Sequence, residues 1–194
     1  MRRFALIGKP LSHSFSASYF AEKFKSQSIE ATYELLELES IHELRETINS
    51  RKINGFNVTI PYKQAVIPFL DSLSNEAKKI GAVNCVSVKE GDWIGHNTDA
   101  LGFEKSLTDW IQTPIKNAII LGNGGSSKAV QFLLNKLKID FKVVSRQGPL
   151  NYDNLHPAQV AETHLIVNTT PVGMWPNQDQ ALQIPYEAIG SRHI

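Results

Sequence analysis

Apolar and polar positions along this chain switch between two periods, and the switching outlines an α/β protein. Short apolar runs ending on glycine, hydroxyl or amide residues read as buried strands. Stretches with apolar residues three and four apart read as amphipathic helices. Phe4-Ala-Leu-Ile-Gly8 is the first such strand. Ser16 stands where it can cap a helix whose Tyr19, Phe20 and Phe24, with Phe15, share one face. Residues 32–38 form a second strand, and Ser40-Ile-His-Glu43 spells a capping box opening a helix with Ile41, Leu44 and Ile48 inward. Residues 55–60 form a third strand, stopped by Pro61; a short helix follows from Lys63 and another over residues 75–80. Residues 83–88 and Trp93-Ile94 flank Glu90-Gly91-Asp92, a glycine turn joining two antiparallel strands.

Thr98-Asp99 is placed to cap a helix running to about Ile111, and Pro114 breaks the chain after it. We therefore place a boundary near residue 98, giving units of 1–98 and 99–194. The second unit opens on Ile119-Ile-Leu-Gly122-Asn-Gly124-Gly125-Ser-Ser127-Lys-Ala, an amphipathic stretch to Leu137, and then Phe141-Lys-Val-Val-Ser145-Arg146. A strand feeding a glycine turn into a helix start is how α/β proteins hold a pyrophosphate, because bare backbone and free amides face the anion there. The pattern departs from the usual fingerprint in that its sixth position is Ser127. NAD enzymes place a carboxylate after the second strand to meet the ribose 2′-hydroxyl; here Ser145 and Arg146 stand there, which suits a 2′-phosphate and hence NADP. The remaining strand is residues 164–168, so the unit reads as one mononucleotide half of a dinucleotide fold, with a short helix near Tyr186 and an apparent truncation at Ile194.

Composition narrows the function classes. The chain has 194 residues, 42% hydrophobic and 20% charged, with a formal net charge of +1, so nothing favours nucleic acid or another polyion. Its apolar runs are too short to span a bilayer, and the apolar stretch after Met1-Arg-Arg stops at Gly8 without a cleavage-like segment. Cys85 is the only cysteine, and the six histidines show no metal-ligand spacing. The expectation is a cytoplasmic protein with small-molecule partners, no metal, no nucleic acid and no membrane; a homodimer is left open.

Four polar segments sit at element ends, where open α/β folds bind ligands. They are Gly8-Lys-Pro-Leu-Ser-His13-Ser14-Phe-Ser16, Asn57-Val-Thr59-Ile-Pro61-Tyr-Lys63, Gly81-Ala-Val-Asn84 and Gly95-His-Asn97-Thr98-Asp99. Their hydroxyls, amides, lysine and aspartate suit a small polyhydroxylated acid. With the glycine loop and Asn168-Thr-Thr-Pro-Val-Gly-Met174, these segments follow the order seen in shikimate dehydrogenases, and the chain resembles that family over essentially its whole length.

The resemblance implies an N-terminal α/β substrate-binding domain and a C-terminal Rossmann-like NADP-binding domain, with the active site in the cleft between them. It implies NADPH-dependent, reversible reduction of 3-dehydroshikimate to shikimate on the way to aromatic amino acids. Lys63 and Asp99 take the catalytic positions. Ketone reduction needs a proton for the oxygen, which an ammonium supplies while polarising the carbonyl; the aspartate would hold that ammonium or bond the reacting hydroxyl. Ser14 and Ser16 match the serines that grip the substrate carboxylate, and Thr59, Asn84 and Asp99 match residues that bond its hydroxyls, with Asn57 a loop support. Gly122, Asn123, Gly124, Gly125, Ser126 and Ser127 match the phosphate loop. Ser145 and Arg146 match the 2′-phosphate clamp, with Ser145-Arg146-Gln147 in place of the family's N-R-T. Asn168, Thr169, Thr170, Val172, Gly173 and Met174 match the loop at the nicotinamide. Cys85 stands where threonine is common, and the family's Tyr-Asn-Pro and Gly-Met-Leu segments and final helix have no counterpart here. Two other readings stay open: a quinate/shikimate dehydrogenase preferring NAD, and a non-catalytic ligand-binding module of the same fold.

Overall fold

A computed structural model describes residues 1–111 and 114–194, excluding the side chain of Trp110. The chain divides into two compact units, Met1–Thr98 and Asp99–Ile194.

The N-terminal unit is built on a six-stranded mixed sheet of order β2-β1-β3-β5-β6-β4. Strands β1 (Arg2–Gly8), β2 (Ala31–Glu37) and β3 (Gly55–Val58) run parallel, with helices α1 (Ser16–Ser26) and α2 (Leu44–Ser50) in the two connections. After the short helix α3 (Tyr62–Ala65) come β4 (Ser72–Leu73), α4 (Asn75–Ile80), β5 (Cys85–Lys89) and β6 (Asp92–His96). The hairpin β5–β6 turns on Glu90 and Gly91, with φ of 53° and 95°, and β5 then pairs antiparallel with β3. Two successive left-handed residues match the twist of the flanking strands, which is why a glycine sits in this turn.

One face of this sheet carries the core. Ala5, Ile7, Phe56, Val58, Val86 and Trp93 pack with Leu44 and Ile48 of α2. Full burial of Leu44 and Ile48, at 0% and 1% exposure, stabilises the fold by about 1.5–3 kcal/mol for each side chain. The expected capping box is present: Ser40 and Glu43 cap each other's backbone N–H groups, opening a 3-10 turn over Ile41–Glu43 before α2. The other face is covered by α1, which has no fully buried residue. It is held by rings instead: Phe24 lies against Phe4, and Phe20 stacks on Tyr33 of β2.

Strand β4, which no periodicity announces, is tied to the sheet through Asp71. Its carboxylate accepts the Trp93 N–H at 2.8 Å and an Arg45 N–H at 3.1 Å, while the Arg45 guanidinium lies 4.6 Å from the Trp93 ring centre. The Trp93 N–H first, and Arg45 second, hold the Asp71 carboxyl below its ordinary value. A depressed carboxyl contributes stability above the unfolded-state value, about pH 4, and loses it as pH falls through the folded value. Asp71→Asn should therefore lower the urea midpoint at neutral pH, with the gap to wild type closing in acid; a gap constant from pH 7 to pH ~3 would exclude this linkage.

The C-terminal unit begins with α5 (Asp99–Trp110) and holds a three-stranded parallel sheet of order β8-β7-β9. Strand β7 (Asn117–Leu121) leads into α6 (Gly125–Lys136), then β8 (Asp140–Val144), α7 (Pro157–Ala161) and β9 (Leu165–Asn168). Apolar side chains fill both faces of β7: Ala118 and Ile120 pack with Val130 and Leu134 of α6, and Ile119 and Leu121 with Leu155 and Val160. A 3-10 turn at Tyr186–Ala188 follows, and Ile194 pairs beside β9 through its bonds with His164 and Ile166.

Candidate active site

At the carboxyl ends of β1 and β3, three of the polar segments are tied together by backbone hydrogen bonds. Thr59 N–H donates to Ile7 O, Lys9 N–H to Ile60 O, Val58 N–H to Asn84 O and Val83 N–H to Lys63 O. Gly8 makes the approach feasible, since a Cβ there would lie 2.4 Å from Thr59 Cγ2 and 3.0 Å from Ile60 O. Two carboxylates, one on the last residue of β2 and one just past it, hold the first loop, Glu37 accepting from the Leu11 N–H and Glu39 pairing with Lys9. No motif contains either acid, and an exposed Glu carries no sequence signal that would have singled it out.

Ser14 lies in this loop, its hydroxyl accepting the Ser16 N–H at 3.2 Å. A hydroxyl that accepts from a backbone N–H keeps its own O–H to donate, which suits a carboxylate. Ser16 is not the expected cap: the N-cap is Phe15, already in helical conformation, and Ser16 is the first residue of α1 with no side-chain cap bond. The turn through Ser14 and Phe15 winds one residue early, because Ser14 N–H already bonds Leu11 O and Tyr19 N–H bonds Phe15 O.

Thr59 follows β3, which ends at Val58 rather than reaching Ile60; Thr59 O turns to accept the Tyr62 N–H, and Pro61 has no N–H to offer. Lys63 is half-buried in α3. Its helix is fixed by the buried Tyr62, whose hydroxyl donates to Leu38 O at 2.7 Å. Asn84 sits in the segment after Gly81, whose φ of 68° ends α4 in the left-handed conformation that glycine permits. The Asn84 side chain clasps Thr98: Oδ1 accepts the Thr98 N–H at 2.9 Å, and Nδ2 donates to Thr98 Oγ1 at 2.9 Å. Asn97 is buried and donates to Ala82 O at 3.0 Å, so it braces the same loop. Asp99 follows Thr98 directly and is the first residue of α5.

In the C-terminal unit, β7 runs into Gly122 with φ of 105°. A Cβ there would lie 2.8 Å from Thr169 Oγ1 and 2.9 Å from Thr170 Cγ2, so the glycine turn and the loop after β9 abut only because Gly122 has no side chain. Thr169 locks the contact, its hydroxyl donating to Leu121 O at 2.7 Å, while Asn168 donates to Val172 O and accepts from Thr170. Asn123 and Gly124 are exposed and precede Gly125, Ser126 and Ser127 at the start of α6. The N-cap Gly124 offers no side-chain cap, and a Cβ there would meet nothing within 4 Å. An uncapped twelve-residue helix behind open backbone fits a pyrophosphate. Ser127 is buried and accepts from Gln131 at 2.9 Å, which makes it a packing residue of the turn. Ser145 follows β8, its N–H bonded to Leu150 O, and Arg146 is exposed beside it. Met174 is 61% exposed at the end of the Asn168 loop.

A parallel sheet whose central strand passes through a left-handed glycine into an uncapped helix defines a Rossmann-like nucleotide-binding unit. A family profile described as Shikimate dehydrogenase substrate binding domain matches residues 6–86. A Staphylococcus aureus protein named shikimate dehydrogenase (NADP(+)) is 37% identical, the match covering 95% of this chain and 74% of that protein. Among solved structures, a shikimate dehydrogenase from Peptoclostridium difficile matches with a TM-score of 0.82 at 35% identity, over 91% of this chain and 69% of that one. The Thermus thermophilus enzyme in complex with NADP(H) and shikimate matches with a TM-score of 0.84 at 32% identity, over 100% of this chain and 77% of that one. The chain belongs to the shikimate dehydrogenase family. Among the described residues, no helix is long and apolar enough to cross a membrane.

Proposed function

We propose that this protein is an NADP-dependent shikimate dehydrogenase, interconverting 3-dehydroshikimate and shikimate for aromatic amino acid biosynthesis. The observation that carries the reading most directly is the knot of backbone bonds joining the Ser14, Thr59–Lys63 and Asn84 segments at the ends of β1 and β3. It gathers the residue types a hydroxylated acid requires from three distant parts of the sequence. The NADP cofactor, held by the glycine turn, the α6 N-terminus and Arg146, supplies hydride to the carbonyl carbon when bound.

The chain's own residues supply the rest. Ser14 and Ser16 hold the carboxylate, while Thr59 and Asn84 bond the ring hydroxyls and fix the acid in one orientation. Lys63 donates a proton to the ketone oxygen as charge develops there, and recovers it in the reverse direction. Asp99 is the second residue of the catalytic pair in this reading, the first residue of α5. Thr169 and Asn168 shape the wall at the nicotinamide. The near-zero net charge supports small-molecule partners rather than nucleic acid, in a cytoplasmic setting where NADPH is the working reductant. An NAD-preferring quinate/shikimate dehydrogenase is not favoured, because Arg146 stands where NAD enzymes carry an acid and the curated relatives are named for NADP(+).

The direct test is NADPH oxidation by this chain with 3-dehydroshikimate, run beside NADH. Turnover with a clear preference for NADPH is expected. Shikimate binding without turnover on either cofactor would make the protein a binding module instead.

A further inference from the structure

Tyr33 belongs to none of the motifs, yet it touches both arms of the proposed substrate site. It lies in β2, and β1 separates that strand from β3, so neighbouring-strand spacing puts the two about 10 Å apart. The phenol crosses that gap above β1, and its hydroxyl donates to Asn57 Oδ1 at 2.8 Å. Asn57 Nδ2 in turn donates to Asn84 O at 3.2 Å, the same carbonyl that accepts the Val58 N–H at 2.9 Å. From Asn84 the line continues through its side chain to the N–H and hydroxyl of Thr98, one residue before Asp99. The face of the Tyr33 ring stacks on Phe20 of α1, with centroids 4.4 Å apart and planes within 13°. That helix begins at Ser16.

We propose that Tyr33 is a positioning residue for shikimate turnover, its ring seating the helix that carries Ser16 and its hydroxyl, through Asn57, setting Asn84 and Thr98. The proposal rests on the dehydrogenase reading above. The relay has one polarity: the hydroxyl donates to the amide oxygen, which turns the amide N–H toward the Asn84 carbonyl. Burial, with a contribution from Cys85, pushes the Tyr33 phenol well above its ordinary range, so it stays a protonated donor wherever the enzyme is assayed. Without that donor, the Asn57 amide oxygen loses the Tyr33 bond, the amide is held less firmly, and its bond to the Asn84 carbonyl weakens.

Tyr33→Phe isolates the hydroxyl, because it keeps the ring and its stack on Phe20. In the NADPH-coupled assay, kcat/KM for 3-dehydroshikimate should fall about three- to tenfold, as expected for one lost hydrogen bond. The KM for NADPH should stay within twofold. Proton exchange at the Thr98 amide should quicken in the variant. Asn57→Ala should show a loss at least as large, and the double variant should be no worse than Asn57→Ala alone, since both act along one line. Unchanged kcat/KM in Tyr33→Phe, an equal penalty on NADPH, or strictly additive losses would each overturn the proposal. If the wild-type protein binds shikimate but does not turn over, the dehydrogenase reading fails, and Thr98 exchange decides the relay by itself: unaltered exchange in Tyr33→Phe overturns it, faster exchange upholds it.

Discussion

Replacing Lys63 with alanine should lower kcat by about 10²–10⁴-fold while shifting the dissociation constant for shikimate only a few-fold, because a positioned acid contributes that much to proton transfer. The asymmetry follows from when the interaction matters. An ammonium beside a ketone oxygen gains most as negative charge builds on that oxygen, so its loss is felt in the transition state more than in the ground state. The local backbone does not depend on the side chain being removed. Helix α3 is pinned by the Tyr62 hydroxyl on Leu38 O, and the Lys63 carbonyl accepts the Val83 N–H at 2.7 Å through an atom that alanine retains. Lys63→Ala should therefore fold and bind. Steady-state kinetics with shikimate titrations by calorimetry check this; a large rise in KM with kcat preserved would move Lys63 from catalysis to substrate binding.

Arg146→Ala should raise the KM for NADP about 10- to 100-fold and leave that for NAD within about twofold, because a charge-assisted bond to phosphate is worth about 1.5–3 kcal/mol and NAD offers no phosphate there. Arg146 is exposed at the end of β8, so its contribution should be screened. The NADP preference of the wild type should shrink as salt rises, and that of the variant should be insensitive to it. The flanking Ser145 has its backbone N–H committed to Leu150 O, so the loop after β8 holds its shape without the guanidinium. Equal losses for both cofactors would assign Arg146 to the loop itself and remove the argument for a 2′-phosphate.

How far the sequence carried the reading depended on whether each feature has a local signature. The strand–glycine–helix run over residues 117–136 was legible because a buried strand, a left-handed glycine and an amphipathic helix each leave a mark in composition. The Ser40–Glu43 capping box and the Glu90-Gly91 hairpin were legible for the same reason. Strand β4 is two residues long and held by an aspartate that precedes it, so no periodicity could show it. Helix α7 was missed because its cap is His156, whose Nδ1 accepts the Ala158 N–H in the role usually taken by serine, threonine or aspartate. At the candidate site, Ser14, Thr59, Lys63 and Asn84 were singled out by motifs. Tyr33, Glu37 and Glu39 were not, because what they do depends on which strands become neighbours, and that is a property of topology alone.

The apolar interiors have a consequence for inheritance. Among the described residues, the apolar cluster holding Trp93 is built from side chains before residue 98, and the clusters about β7 from side chains after it. Such a chain can drift toward a different nicotinamide carrier, or a different ring acid, by amending one half while the other stays as it was.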